Sequence, residues 1–578
     1  MTVASLPASA TDPFARPRLR RPRHPLATTI VVAAALLVAT PLAGLLAIAA
    51  KGDAEIWSHL VAYVLAPSLV DTVLLLAGVA TVTTVVGVGT AWLVTAFEFP
   101  GRKALLWLLP LPLAIPTYIV AYVYVDLLDA WGPVQVLLRA VTGWTSPTQY
   151  WFPSARSLPG AILLMGFVLY PYVHLAARTM FQTQSAALVE IARTMGAGPW
   201  RIARDVTLPL ARPAVVAGLT LVLLEALNDI GLCEYLGVRT LTISIFTTWL
   251  NRGSLPGAAQ IALMLLALVA ILMAVERHAR RNRRYATGDA GPPPARKRLR
   301  GGRALLAAAA CLLPVGLGFL VPFTYLLEQA VSRTLLFGLD RDLARHAATT
   351  AGLATLATMT TLALGVALVS ATRLLRRPYA RMCLAIAGLG YAIPGTVLAL
   401  GLLTPLITTD QIVDRFVRAV GGGGVGLLLA GSGAAVVIAY VVRFLAIVIG
   451  LAHAAFGRIS TDLDDAARSA GARPGKVVLS IHAPLARAAL AGAALLVFVD
   501  CLKELPATLL LRPLNVETLS TYLYQFATRG SFEDGAVAAL LIVLAGLLPV
   551  MHIVKLADTA GPLGHPIGTT SSGGHRIP

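Results

Sequence analysis

Apolar runs of about twenty residues or more recur along the whole chain, separated by shorter polar stretches rich in Arg, Gly and Pro. The runs are continuous and do not alternate at every second position. A membrane-spanning β-strand would alternate apolar and polar over about ten residues, and only helices and closed barrels satisfy their backbone in lipid. The pattern therefore predicts helices, each long enough for a hydrocarbon core of about 30 Å. Twelve are predicted, near 27–50, 68–96, 104–127, 158–177, 211–232, 257–276, 304–327, 348–372, 380–406, 426–451, 486–509 and 534–554. The first follows a basic segment and contains Ala47-Ile48-Ala49, which resembles a signal-peptide cleavage site. Its apolar run exceeds a signal core of roughly 7–15 residues, so it reads as an uncleaved anchor.

Composition narrows the class. Of 578 residues, 57% are hydrophobic and 13% charged, and the mean hydropathy is +0.76. Soluble domains run at about 45–50% apolar and about 25% charged. A soluble enzyme, a disordered chain and a fibrous protein are excluded in favour of an all-α polytopic membrane protein. A net charge of +19 would suggest nucleic acid were it not for its distribution. The basic residues concentrate in every second loop: Arg16 to Arg23, Arg102 and Lys103, Arg193 to Arg212, Arg277 to Arg303, Arg373 to Arg381, and Arg458 to Lys476. The alternate loops carry Asp53, Glu55, Asp340, Asp342, Asp410, Asp414, Glu533 and Asp534. By the positive-inside rule the first set is cytoplasmic, with both termini inside, and no nucleic-acid partner is needed to explain the charge. Cys233, Cys311, Cys383 and Cys501 lie in or beside apolar runs and read as small core residues.

The two halves align with each other. Glu190, Ala192, Gly196 and Pro209 recur as Asp465, Ala467, Gly471 and Pro484, each displaced by 275 residues, as do Glu225 and Asp229 in Asp500 and Glu504. Ala114-Ile115-Pro116 recurs as Ala392-Ile393-Pro394, and Thr240-Leu241-Thr242 as Thr518-Leu519-Ser520, both displaced by 278. Six spans per half make the repeats parallel in the membrane. The expected organisation is a basic cytoplasmic N-terminus over 1–26, a first repeat over 27–276, a basic linker over 277–303, a second repeat over 304–554 and a polar tail over 555–578, with both ends of the chain reading as disordered.

Between the fourth and fifth spans, Ala186 to Met195 reads as a short helix ended by Gly196. Pro199-Trp200-Arg201 opens a second one, which Pro209 closes. The design recurs at 460–484 and is longer than the roughly 2–8 residues a plain connector needs. Two such knobs suit docking onto a symmetric partner. An acidic residue, Ala two later, Gly four after that, then nine residues and aliphatic-x-aliphatic-Pro resembles the EAA loop of ABC-importer permeases, in both halves. The departures are Ile191 within the first motif, Asp465 for Glu and Ala483 before the second proline. The resemblance implies the type I importer fold, with Glu190, Ala192, Gly196, Pro209, Asp465, Ala467, Gly471 and Pro484 seated on a cytoplasmic ATPase homodimer. It also implies a periplasmic substrate-binding protein. ATP and magnesium would sit on the ATPase; this chain has no G-x-x-x-x-G-K-[ST] motif, holds no cofactor and is not an enzyme. Gly421 to Gly424, a glycine run without the lysine, reads as a flexible outer loop.

Within this family the chain most resembles the ferric-iron permeases, through Ile115 to Tyr122, Glu225 to Gly231 and Leu236 to Thr242. Fused thiamine permeases share much of the pattern, so a small organic solute is the alternative cargo. Glu225 and Asp229 fall on one helix face, as do Asp500 and Glu504. Intramembrane carboxylates are functional candidates by default, and ferric iron, a hard ion, prefers oxygen ligands. Lys503, beside Glu504, could neutralise one of them, and oxyanion-importer permeases similarly carry an acid where Asp229 and Glu504 lie. Tyr118, Tyr122 and Asp126 share a face of the third span. They offer oxygen ligands, but tyrosines near a span end read more simply as an interfacial belt. Arg443 is expected to pair with an acid or face a cavity. His174, His453 and His482 read as isolated surface or packing residues. A proton-coupled secondary transporter would need no repeated cytoplasmic knobs.

Overall fold

The computed structural model describes residues 25–52, 54–183, 186–281 and 296–559. Most of the N-terminal segment, the centre of the linker and the tail from 560 lie outside the described residues. The first half comprises α1 (Pro25–Ala49), α2 (Ala66–Ala96), α3 (Arg102–Leu108), α4 (Thr117–Leu128), α5 (Leu158–Thr183), α6 (Ala186–Thr194), α7 (Leu208–Asn228), α8 (Ile230–Tyr235), α9 (Leu241–Leu250) and α10 (Leu255–Arg281). The second comprises α11 (Gly302–Val315), α12 (Val321–Phe337), α13 (Arg341–Leu375), α14 (Pro378–Ala387), α15 (Gly395–Ala419), α16 (Gly433–Gly457), α17 (Thr461–Ser469), α18 (Arg487–Lys503), α19 (Pro506–Leu511), α20 (Leu519–Arg529) and α21 (Phe532–Thr559). The described residues hold one strand pairing, β1 (Phe97–Glu98) parallel to β2 (Lys297–Arg298). It fastens the end of the linker to the loop after α2.

Ten helices among the described residues are long and apolar enough to cross a membrane, or up to twelve if each of two sharply bent pairs is one span. The all-α polytopic class holds. Four of the predicted spans, however, are broken where the pattern shows continuous helix. The span expected over 104–127 turns by 91° between α3 and α4. Pro110, Pro112 and Pro116 lie at the turn, and each removes a backbone donor and clashes with the preceding helical turn. The span expected over 380–406 breaks similarly at Ile393-Pro394. Those expected over 211–232 and 486–509 stop at Asn228 and Lys503, and new short helices begin at Ile230 and Pro506. The short α9 and α20 escaped the sequence reading because neither is long enough to span. The glycine run at 421–424 is followed by an organised turn: Asp414 accepts from the Val425 amide at 2.8 Å, and Asp410 from Leu429 and Ala430 at 2.8 and 2.9 Å.

Hydrogen bonds repeat between the halves. The Leu241 amide donates to Thr72 at 3.0 Å, and the Leu519 amide to Thr350 at 2.8 Å. Thr242 donates to the Leu227 carbonyl at 2.6 Å, and Ser520 to that of Leu502 at 2.8 Å. In each half a long helix packs on the one that precedes the loop, α2 on α5 and α13 on α16.

The first helix of each half crosses over. α1 packs on α13, α14 and α15, and α11 packs on α2 and α3. Glycine makes the α1–α15 approach possible: a Cβ at Gly44 would lie 2.1 Å from the Gly401 carbonyl oxygen, and one at Gly401 2.2 Å from that of Pro41. Without a hydrophobic drive between helices in lipid, small residues let backbones meet and gain packing. Gly44→Leu should therefore lower stability by about 1–3 kcal/mol through overpacking. Gly89→Leu, where a Cβ meets nothing within 4 Å, should be near neutral. Thermal melts of both variants in one detergent check this.

Candidate functional site

The two span breaks at Asp229 and Glu504 create a chemical problem. A helix start leaves amide N–H groups without intrahelical partners, and lipid offers none. Asp229, with extended backbone, solves it for α8 by accepting from the Leu232 amide at 2.9 Å, and it also accepts from the Thr117 hydroxyl. Glu504 solves it for α19. Its carboxylate accepts from the Ala507 and Thr508 amides at 3.0 Å each and from the Thr508 hydroxyl at 2.7 Å. Both carboxylates are buried.

A polar bridge joins the halves here. Arg443 Nη1 lies 3.3 Å from Glu504 and donates to Asn228 Oδ1 at 2.9 Å. The same Asn228 oxygen accepts from the Gly395 amide at 2.6 Å. A Cβ on Gly395 would come within 2.6 Å of Arg443 Nη1, so glycine keeps the bridge intact. Lys503 pairs with Asp500 at 2.8 Å. The one carboxylate that Lys503 neutralises, as expected, is thus Asp500, while Glu504 faces Arg443. Glu225 accepts from the Tyr391 hydroxyl.

Glu225, Asp229, Asp500 and Glu504 line one cavity with Thr117, Tyr118, Tyr172, Asn228, Arg443 and Lys503. It has about 90 Å³ of free space, enough for a few waters or a small ion. Four carboxylates face two cations, so the wall is formally negative. Tyr118 borders this cavity; Tyr122 does not, and packs against Tyr235 with ring centroids 4.6 Å apart. Both tyrosines are buried in protein, which overturns the interfacial-belt reading. Asp126 accepts from Tyr325 at 2.6 Å. Among the described residues no group of three or more His, Cys, Asp or Glu is placed to hold a metal ion.

The repeated loops form a second site. Gly196 and Gly471 have φ of +82° and +78°. In each loop the amide after the glycine returns to the motif alanine: Ala197 to the Ala192 carbonyl at 3.0 Å, and Ala472 to that of Ala467 at 2.9 Å. These are Schellman closures of α6 and α17. The four-residue spacing from Ala to Gly is the spacing that closure requires. Glu190 and Asp465 are exposed, as are the apolar Ile191, Met195, Leu463 and Leu479. Pro209 does not close a helix, contrary to expectation, since the chain stays helical to Asn228, whereas the second helix does stop at Leu485, one residue after Pro484. A wide helical turn over Ala203–Thr207 or Val478–His482 precedes each proline and keeps the chain helical up to it. Such turns absorb the missing proline donor.

The loops differ in how they are anchored. Asp464 is buried and meets Arg373 at 2.7 Å and His482 Nε2 at 2.7 Å. Arg373 also donates to the carbonyls of Phe456, Ile459 (2.9 Å) and Ser460 (3.2 Å). His482 is thus no isolated packing residue. His174 is buried as expected, against Thr90 at 2.9 Å, and His453 is exposed. The matching first-half positions hold Val189, Thr207 and Thr95. Sequence reasoning missed this cluster, whose one visible sign was a break in the repeat at Asp464. It also missed Asn228, which stands where the second half has Lys503.

Residues 83–285 match the family described as "Binding-protein-dependent transport system inner membrane component". The sulfate transport system permease protein CysW of Synechocystis is 30% identical over 202 residues, 33% of this chain and 68% of that protein. The chain belongs to this family. It is accordingly a multi-pass permease component of an ABC importer. The molybdenum transport system permease protein ModB of Escherichia coli K12 is 29% identical over 208 residues, 35% of this chain and 87% of ModB. The Fe(3+)-transport system permease protein FbpB 2 of Haemophilus influenzae is 23% identical over 512 residues, 85% of this chain and 90% of FbpB 2. The ModB and CysW matches each span about one third of this permease, whereas FbpB 2 aligns along 85% of it.

Arg443→Met should cost this permease about 3 kcal/mol or more in stability, since it strips a buried carboxylate of its cation; a thermal melt measures it. Asp464 generates a second expectation. Burial pushes its carboxyl up, but hydrogen bonds from His482 and Arg373 and the charge of Arg373 outweigh this and hold it below the usual carboxylate range. Its contribution is therefore full above the unfolded value of about 4 and lost as pH falls through the lowered folded value. Amide exchange of Thr461–Ser469, corrected for intrinsic rates, should stay constant from neutral pH to about 5 and rise only below about 4. Asp464→Asn should raise it at neutral pH.

Proposed function

We propose that this chain is the membrane-spanning permease of a ferric-iron importer. The observation that carries the reading is the alignment with FbpB 2 along 85% of the chain. The formally negative cavity wall agrees with a cationic cargo. An ATPase homodimer, holding ATP and magnesium, docks on the two exposed loops through Glu190, Ala192, Gly196 and Pro209 and through Asp465, Ala467, Gly471 and Pro484. A periplasmic binding protein delivers iron from the opposite side, and both termini are cytoplasmic. Closure of the ATPase pushes the two halves outward-open, iron enters past Glu225, Asp229, Asp500 and Glu504 with Tyr118 and Tyr122 behind them, and hydrolysis resets the bundle.

A second reading, an oxyanion cargo, draws on the similarity to ModB and CysW and on Arg443 and Lys503 in the cavity wall. On that reading Asp229 and Glu504 act as helix caps alone.

Uptake of labelled ferric iron separates these. Iron-starved cells that contain the ATPase and binding protein are compared with and without this chain, with excess thiamine, molybdate or sulfate as competitors. Energy-dependent uptake that needs the chain and ignores all three competitors is expected. Glu225→Gln, which keeps an acceptor for Tyr391 and caps no helix, should lower that uptake several-fold at unchanged protein level. Absence of chain-dependent iron uptake, or its suppression by a competitor, overturns the iron reading and leaves the importer architecture standing.

A further inference from the structure

A second cavity, of about 380 Å³, lies beside the second loop. Its apolar walls come from the start of α1 (Leu26, Ile30), the end of α13 (Ala371, Leu374) and the second loop beyond α17 (Val477, Leu479). Leu26 and Leu479 are 73% and 74% exposed. Because α1 starts and α13 ends here, the cavity sits at the level where spans leave the hydrocarbon.

The two halves treat this place differently. In the first half Trp92 and Trp200 meet edge to face, with centroids 6.5 Å apart. The matching residues of the second half are Ser370, displaced by 278, and Gly475, displaced by 275, and both line the cavity. Two indoles are thus replaced by a hydroxyl and a hydrogen, and space is left. The cavity's edge is polar and basic. His482 is buried, its Nε2 is committed to Asp464, and its Nδ1 has no partner; Ser370 Oγ is likewise buried and unpartnered. Arg468, half-exposed, meets Asp465 only at 3.7 Å, and Lys476 follows Gly475 in the chain.

We infer that this cavity binds an anionic phospholipid of the adjoining leaflet, with one acyl chain between α1, α13 and the second loop and its phosphate against Arg468 and Lys476. An apolar slot of about 380 Å³ suits part of a hydrocarbon chain. The basic rim selects a phosphate head, and the two unpartnered polar atoms inside the rim accept or donate to the ester region. The bound lipid wedges the second loop against the membrane helices, the place that Trp92 against Trp200 fills in the first half.

The test uses the full chain in vesicles of phosphatidylethanolamine and phosphatidylglycerol at 3:1, with a trace of phosphatidylglycerol carrying a diazirine in one acyl chain. After illumination, adducts are mapped by mass spectrometry. Expected are adducts at Leu26–Ile30 and Val477–Leu479 at least fivefold above the matched start of α11 (residues 302–306). They should fall at least fivefold in Ser370→Trp, which restores the first-half residue. Gly475→Trp, at an exposed loop position, gives a second filling variant should Ser370→Trp fail to fold. Labelling no higher than at 302–306, or unchanged in a folded filling variant, overturns the proposal. So does labelling that emerges only after deletion of residues 1–24, since the chain's own N-terminal segment would then be the occupant. Equal labelling by a phosphatidylcholine probe overturns the selection for an anionic head.

Discussion

Every amide inside a hydrocarbon slab needs a partner, and a helix that stops there forfeits several at once. This permease stops helices inside its apolar runs in both halves, and the cost is offset by one carboxylate at each restart. Asp229 and Glu504 are each placed where the chain turns extended and the next helix opens. The rest of the central arrangement follows. Buried anions demand compensation, so Glu504 draws in Arg443, Arg443 draws in Asn228, and Asn228 takes the Gly395 amide from the facing break. The polar lining of the cavity is thus, in large part, what interrupted helices require. Glu225 and Asp500 are the carboxylates that cap nothing.

Much of the fold was legible because apolar run length and basic-loop alternation are direct consequences of lipid. The repeat was legible because duplicated contacts need duplicated residues: Thr72 and Thr350 serve Leu241 and Leu519 in the same way. The Ala-to-Gly spacing of the loops was readable as a pattern, and the structure supplies its cause in the Schellman closure. The helix breaks were not legible. Hydropathy is blind to a carboxylate that turns inward to cap, and Asp229 or Glu504 reads the same whether it meets cargo or amides. The positions of Tyr118 and Tyr122 were misread for a related reason, since a tyrosine near a span end has the same sequence signature whether lipid or protein lies beside it.

The two loops show what a repeat allows to drift. Their helix closures are matched, whereas the anchor of Asp464, Arg373 and His482 exists in one copy only. The approach to the following span differs as well: residues 200–228 form one continuous helix, while the second half bends by 84° between Leu485 and Arg487. The two loops are thus tied to the membrane helices by different means, a buried Asp464–Arg373–His482 cluster in the second and Trp92 against Trp200 in the first.

The crossing of α1 and α11 carries a mechanical consequence. α1 lies against α13, α14 and α15, and α11 against α2 and α3, so the unit of sequence is not the unit of motion. If the two bodies of the bundle rock against each other, each carries the opening helix of the other as a passenger. The strain would then fall on the segments that lead out of the passengers, where the helical path opens into wide turns over Leu60–Leu65 and Gly316–Leu320. In such a motion those turns would be the elbows, and the second one, where Gly318 packs on Phe167 and Pro112, abuts the cavity wall at Val168 and Leu113.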